Sequence, residues 1–245
     1  MLISIICVYN KLDQYENQLL KSVKMQQGKI EIIPIDNSCN TFHSAAEALN
    51  YGAEKAEGDI FIFAHQDIVF KQPNELNEFA KMIEKNEIGT IVGAAGVVEK
   101  QKKCYTNITS GNKVSLKKDG TIEKKLYDVA SVDECLFGMK KQTWKMFRFN
   151  ECLCDNWHLY AVEMCLRARK NGKRVYVYPS YVHHFSPGRI SRGYMKGLIR
   201  IADHYRKDFC YIWTTCYKVS SSWLYVRALY VVWICNRIIR RRTFD

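Results

Sequence analysis

Three residues at the end of an apolar run carry the first chemical signal in this chain. His65, Gln66 and Asp67 follow the strand-like stretch Ile60, Phe61, Ile62 and Phe63. In an open α/β sheet, ligands bind just beyond the carboxyl ends of the strands. A carboxylate there can hold a divalent cation, and the cation can clamp a diphosphate. Two other apolar runs end in polar residues. Residues 4–9 lead to Val8, Tyr9 and Asn10, and residues 31–35 lead to Asp36 and Asn37. An aspartate at the second strand end accepts a hydrogen bond from a nucleobase imide. Tyr9 offers an apolar wall or a stacking face. Asn50, on the helix that follows, is within reach of the same crevice. Each residue alone is ordinary turn chemistry. The ordered set points to an enzyme that handles a nucleotide-activated substrate.

The elements that must position these residues alternate. Residues 4–9 read as a strand, 13–26 as a helix, 31–35 as a strand, 44–56 as a helix with Gly58 as its C-terminal cap, and 60–63 as a strand. This order predicts a parallel sheet with right-handed crossovers. Further on come a helix over 75–86, a strand over 90–97, a polar, lysine-rich hairpin insertion over 99–126, a helix over 155–171 stopped by Gly172, and a strand over 175–178. His183 and His184 are consecutive on an extended segment, so they face opposite ways. The fold class is α/β, with a Rossmann-like, mostly parallel sheet, flanking helices and a C-terminal helical appendage. One domain spans 1–190, and a basic amphipathic tail spans 191–245.

Charge is unevenly placed. The net charge is +12, and residues 189–245 hold twelve Lys/Arg against Asp203, Asp208 and Asp245, a surplus of nine. Nucleic acid, an anionic bilayer and a phosphate-bearing substrate are the possible counterparts. Residues 223–239 are mostly apolar but are interrupted by Arg227, Asn236 and Arg237, too short and too charged a run to span a bilayer. A helix lying on an anionic membrane surface fits better, with Arg240, Arg241 and Arg242 at its end. Trp223, Leu224, Leu229, Val231 and Val232 make a greasier surface than single strands need, which sets nucleic acid aside as a partner. The ten cysteines contain no Cys-x-x-Cys, as expected of reduced thiols in a cytosolic protein. Residues 1–8 read as a first strand rather than a leader. The expected location is the cytoplasm, peripheral at the inner face of the cell membrane.

Over residues 2–190 these segments resemble the inverting family 2 glycosyltransferases of the GT-A class. Val8-Tyr9-Asn10 stands where that family has Thr-Tyr-Asn, and Asp36-Asn37 where it has two aspartates. The stretch Ala48 to Asp59 is similar to its Asn-x-Gly…Ala-x-Gly-Asp segment, and His65-Gln66-Asp67 stands at its Asp-x-Asp. Phe149 to Glu151, Trp157 to Leu166, Gly172 and His184 to Gly188 look like its acceptor-side half. His-Gln-Asp is similar to a bacterial branch associated with capsule and surface polysaccharide assembly.

The resemblance implies sugar transfer from a nucleotide sugar, UDP-linked, to a glycan acceptor, and the basic, aromatic tail suggests that this acceptor is lipid-linked. It implies Asp67 and His184 as ligands of Mn²⁺ or Mg²⁺. It implies Val8, Tyr9, Asn10, Asp36, Asn37, Asn50, His65, Gln66 and Asp133 as donor contacts, and Trp157, His158 and Tyr160 as acceptor contacts. Family members commonly carry the catalytic base in a Glu-Asp pair at the start of the acceptor-side helix. Here Tyr160-Ala161 aligns with that pair, so the role passes to Glu163, with Asp155 second. The loss of both that acid and the first acid of the metal triplet also admits a non-catalytic binding or scaffold protein on the same fold.

Overall fold

The structure is a computed structural model that describes residues 1–99, 103–112, 122–186, 188 and 190–242, with side chains to residue 238. The first half follows the strand–helix alternation. β1 (Leu2–Tyr9) leads into a helical stretch made of α1 (Leu12–Gln14), a π-helical segment (Tyr15–Leu20) and α2 (Lys21–Val23). β2 (Lys29–Asp36), α3 (Ala45–Lys55) and β3 (Ile60–Ala64) follow. The start of α3 is a reciprocal cap. The Glu47 N–H donates to Ser44 Oγ at 3.1 Å, and the His43 N–H donates to Glu47 Oε2 at 3.0 Å. β1 pairs in parallel with both β2 and β3. Gly58 is not the expected left-handed cap, because α3 ends at Ala56 in extended backbone and Gly58 has no positive φ. Glycine is needed there for close approach: a Cβ would fall 2.8 Å from the Ser4 backbone nitrogen.

The chain continues through β4 (Ile68–Phe70), α4 (Glu75–Glu84), β5 (Ile91–Gly93), β6 (Ala95–Val97), β7 (Cys104–Thr106), β8 (Thr109–Ser110), β9 (Tyr127–Asp128), β10 (Ser131–Val132), β11 (Leu136–Lys140) and α5 (Lys141–Met146). It ends with α6 (Tyr160–Lys170), β12 (Val175–Val177), β13 (Val182–His184), α7 (Arg192–Tyr205), β14 (Tyr211–Trp213), β15 (Lys218–Ser220) and α8 (Trp223–Arg242). The central sheet has the order β2-β1-β3-β11-β5-β12-β9. Only β11 and β9 run against the other five strands. The sheet is therefore mixed but mostly parallel.

Three local expectations change. The strand over 90–97 breaks at Ala94 into β5 and β6, which join different sheets. The helix over 155–171 begins only at Tyr160, after Leu159 turns left-handed at φ 70°, and Gly172 ends it at φ 69°. The hairpin expected over 99–126 lies partly outside the described residues. Within them, β7 pairs with β6 and β8 pairs with β13, not with each other.

Helices cover both faces of the sheet. Phe61, Phe63, Phe137 and Met164 fill the core on the side of α3, α5 and α6, and Ile5, Leu19, Ile62 and Phe79 fill the side of α4. Burying each such side chain is worth about 1.5–3 kcal/mol. A third cluster joins Val162 and Leu166 on the outer face of α6 to Leu198 and Ile201 on α7, Ile212 on β14 and Val226 on α8. The tail is thus built onto α6.

Candidate functional site

A cleft of about 830 Å³ opens beyond the carboxyl ends of β1 and β3. Val8, Tyr9, Asn10 and Asn37 line one wall, and His65, Gln66 and Asp67 line its floor. Trp157 and His158 from the approach to α6, Asp133 from the turn before β11, and His184 at the end of β13 complete the expected set within it. The ends of β1 and β3 are tied together by one side chain. Gln66 Oε1 accepts the N–H groups of Asn10 and Lys11, both at 3.0 Å, and Gln66 Nε2 donates to Asn10 Oδ1 at 2.9 Å. Gln66 therefore shapes the floor with its whole carboxamide. Asn37 likewise closes its own loop, accepting the Phe42 N–H at 2.8 Å. The Tyr9 ring stacks on Tyr15 at 4.7 Å.

The candidate metal-holding triplet follows from strand register. β13 pairs antiparallel with β4, and His184 lies opposite Ile68, the residue after Asp67. His183 points the other way and is fully buried, with Nδ1 2.8 Å from Thr109 Oγ1 and Nε2 2.9 Å from the Gly111 carbonyl. His184 Nε2 lies 3.3 Å from Asp67 Oδ1 and 3.3 Å from His65 Nδ1. All three ligand atoms fall within 4.8 Å of one another, the one such group of three among the described residues.

Protonation suits a cation. Burial, reinforced by His184, pushes the His65 imidazole down to about 4, so it is neutral near pH 7. Burial pushes the Asp67 carboxyl up, but the hydrogen bond and charge of His184, with His65, outweigh it and hold the group below its usual range. Ser186 N–H also donates to Asp67 Oδ2 at 3.1 Å. Two imidazole nitrogens and one ionised carboxylate oxygen fit a divalent transition ion such as Mn²⁺ better than Mg²⁺, which prefers oxygen alone. His65, expected as a donor contact, stands instead with Asp67 and His184 in the group that could hold a metal. The Tyr160 hydroxyl lies 3.4 Å from His65 Nε2. That ring is buried behind His65, off the main cleft, so Tyr160 does not reach an acceptor as expected.

Four other expected residues lie elsewhere. Asn50 is buried under the cleft: its Nδ2 donates to the Phe149 carbonyl at 3.0 Å and to Glu151 Oε1 at 2.7 Å. Its Oδ1 accepts from Trp144 Nε1 and the Phe149 N–H. Every polar position of Asn50 is spent on structure. Asp36 is exposed at the rim, off the cleft wall, and its carboxyl is held below its usual range chiefly by the Ser38 N–H, 2.8 Å from Oδ1. Glu163 is fully buried on the far face of α6, where Oε1 accepts from the Tyr205 hydroxyl at 2.8 Å and Oε2 from Arg167 at 3.0 Å. Asp155 is clasped on both oxygens by Arg200. Neither proposed base faces the cleft.

Two contributors were missed. Glu134, next to Asp133, lines the cleft. Burial, then the Asp133 charge, push its carboxyl up to about 8, although the N–H groups of Ala161, Leu159 and Tyr160 pull it down. Asp133 itself is held low despite burial, because Thr215 Oγ1 donates to Oδ2 at 2.7 Å and the Cys135 N–H to Oδ1 at 3.1 Å. The second contributor is the β14–β15 hairpin. Its turn places Thr214, Thr215 and Cys216 on the cleft wall, and Ser131 Oγ anchors it by donating to the Trp213 carbonyl at 2.6 Å. The alternation around Thr214 to Tyr217 is a hairpin signal in the sequence, hidden there by the apolar run that follows.

The model of a family described as "Glycosyltransferase like family" matches residues 3–208. The chain belongs to that glycosyltransferase-like family. Solved structures agree on the fold. GalNAc-T7, crystallised with UDP, GalNAc and Mn²⁺, aligns with a TM-score of 0.62 at 13% identity over 85% of this chain and 48% of its own. Staphylococcus aureus TarS with UDP-GlcNAc gives 0.56 at 13% over 82% and 66%. The mannosyltransferase PcManGT from Pyrobaculum calidifontis with GDP-Man and Mn²⁺ gives 0.53 at 15% over 83% and 61%. This glycosyltransferase-like chain therefore has the GT-A fold, and it spans about half to two thirds of the length of those structures. No curated protein matches it by sequence.

Proposed function

We propose that this protein transfers a sugar from a UDP-linked donor to a glycan hydroxyl, with inversion at the anomeric carbon and with Mn²⁺ as the preferred cation. The observation that carries this reading is the convergence of His65, Asp67 and His184 at the floor of the strand-end cleft. Structures sharing the fold that were crystallised with UDP and Mn²⁺ or with GDP-Man and Mn²⁺ support it. Bound there, a divalent ion neutralises the charge that builds on the departing diphosphate. Tyr9 and Asn37 flank the space for the nucleoside, and the Gln66 clamp holds that wall against the ligands. Trp157 offers an open ring face to an acceptor sugar.

The acceptor is lipid-linked in this reading, as in surface-polysaccharide assembly, and the protein works peripherally at the inner membrane face. Support comes from α8. Val226, Leu229 and Trp233 pack on the body, while Leu224, Val231, Val232 and Ile238 are exposed on the other side. No helix among the described residues is long and apolar enough to cross a membrane.

The test is thermal stabilisation by UDP-GlcNAc, GDP-Man, a CMP-sugar and a dTDP-sugar, each with and without Mn²⁺. A ligand at a hundredfold excess over its Kd adds about 2.7 kcal/mol to apparent stability. The expected result is a UDP-sugar response that needs Mn²⁺ and is lost in D67A. No response to any nucleotide sugar would leave a scaffold protein as the better reading.

A further inference from the structure

An inverting transfer needs a group to take the proton of the acceptor hydroxyl, and Ala161, buried at the second residue of α6, supplies none. Glu163 and Asp155 are committed to Arg167, Tyr205 and Arg200 away from the cleft. Asp133 faces the cleft, but both its oxygens accept hydrogen bonds and its carboxyl is held low, which makes it a weak base. Glu134 differs on each count. It lines the cleft, its Oε1 is covered yet has no hydrogen-bond partner, and its carboxyl lies against the first N–H groups of α6 at residues 159–161. It thus sits, from the turn before β11, against the start of α6, where the resembled family carries its Glu-Asp pair and this chain has Tyr160 and Ala161.

We propose that Glu134 is the catalytic base of this transferase, its cleft-lining carboxylate taking the acceptor proton beside the start of α6. The assignment rests on the transferase reading of the cleft. In the step, the acceptor O–H bond breaks and its proton passes to Glu134. The acceptor oxygen bonds the anomeric carbon. The bond from that carbon to the diphosphate oxygen breaks, and its electron pair leaves with the nucleoside diphosphate.

The surroundings set the pH at which this works. The titratable groups facing Glu134 are Asp133 on its own turn, Tyr160 and Cys165 on α6, Cys154 before α6, Tyr194 on α7 and Cys216 on the hairpin turn. The tyrosines and cysteines are pushed upward by burial and stay neutral, so Asp133 is the one charge among them. With the Glu134 carboxyl at about 8, only its ionised form accepts a proton, and kcat/KM rises with pH until about 8. The alternative base in the cleft is His158, whose imidazole burial pushes below its ordinary 6.5. A histidine base would therefore put the rise below pH 6.5.

The experiment measures UDP release from UDP-GlcNAc, or GDP release from GDP-Man, whichever donor stabilises the parent protein, across pH 5.5–9. E134Q is expected to lower kcat about 100-fold or more while the Mn²⁺-dependent thermal stabilisation by the same donor stays at the parent level. E134D is expected to keep measurable turnover and a pH-dependent rise. Parent-like kcat in folded, donor-binding E134Q overturns the assignment, and so does a parent profile already flat above pH 6.5. Either result leaves the transferase reading standing. That reading falls separately, if the parent binds no nucleotide sugar.

Discussion

His184 Nε2 sits 3.3 Å from Asp67 Oδ1 because the ladder between β4 and β13 sets His184 opposite Ile68. Residues 117 positions apart in the sequence thereby become neighbours, and His65 Nδ1 closes the triangle from the end of β3. A carboxylate amid two imidazoles holds a cation chiefly through its charge. D67N, nearly isosteric, keeps the shape and removes that charge. It should weaken Mn²⁺ binding by about 10–100-fold or more, and H184A should do the same. Isothermal titration with MnCl₂ reads this directly, and undiminished Mn²⁺ affinity in both variants would remove the metal site from the reading.

Asn50 and Glu163 separate structure from chemistry. N50A leaves the buried Trp144 indole N–H and both Phe149 backbone groups without their partner, and should cost roughly 3 kcal/mol of stability. E163Q uncouples a buried carboxylate from Arg167 and should cost about 3 kcal/mol as well. Urea melts measure both costs. The folded fraction of each variant should bind the donor and turn it over like the parent. A selective fall in kcat for E163Q at unchanged stability would restore it as a catalytic group.

Much of the fold was legible because local pattern and topology agree. β1 and β3 are nearly continuous apolar runs, β2 carries Ile30, Ile32, Ile33 and Ile35 between charged residues, and with helices between them that order admits essentially one parallel arrangement. Asp67 and His184 were legible because each follows or ends a strand. Asn50 and Glu163 were misread for one physical reason. Sequence shows that a polar residue lies on a helix but not which face turns inward, and each is turned into a hydrogen-bonded interior. Glu134 was overlooked because an acidic pair in a turn looks like solvated turn chemistry. Its significance comes from the start of α6, which tertiary packing brings to it.

Glu134 also makes stability depend on pH, independently of any substrate. Its ordinary pKa is 4.5 and its folded value about 8, so the native state binds the proton more tightly than the unfolded chain. The contribution is therefore full below about pH 4.5 and is lost as pH rises through about 8. Asp67 and Asp133, held below their usual range, act in the opposite sense but are already ionised throughout pH 5–8, where the comparison is made. Relative to the parent, E134Q should gain stability steadily from pH 5 to pH 8. Melting temperatures of the two proteins across that range give the answer. A gap that does not change with pH would mean that Glu134 is ionised throughout.

The exposed side of α8 makes the last prediction. Leu224 is 72% exposed, Val231 57% and Val232 55%, while Val226 on the opposite side is fully buried. Arg227 is already paired with Asp203 through both guanidinium nitrogens, at 3.0 and 2.7 Å, so the attraction to a bilayer must come from other cations such as Arg237. Burying one such apolar side chain is worth about 1.5–3 kcal/mol, about tenfold or more in partitioning. L224S/V231S should therefore cut co-sedimentation with phosphatidylglycerol vesicles at least about tenfold without lowering the melting temperature, since neither side chain packs on the body. Binding of the parent should weaken as salt rises, because surface charge is screened within about 10 Å at 0.1 M. Equal sedimentation of parent and variant would assign the stripe to a protein partner and detach the acceptor from the membrane.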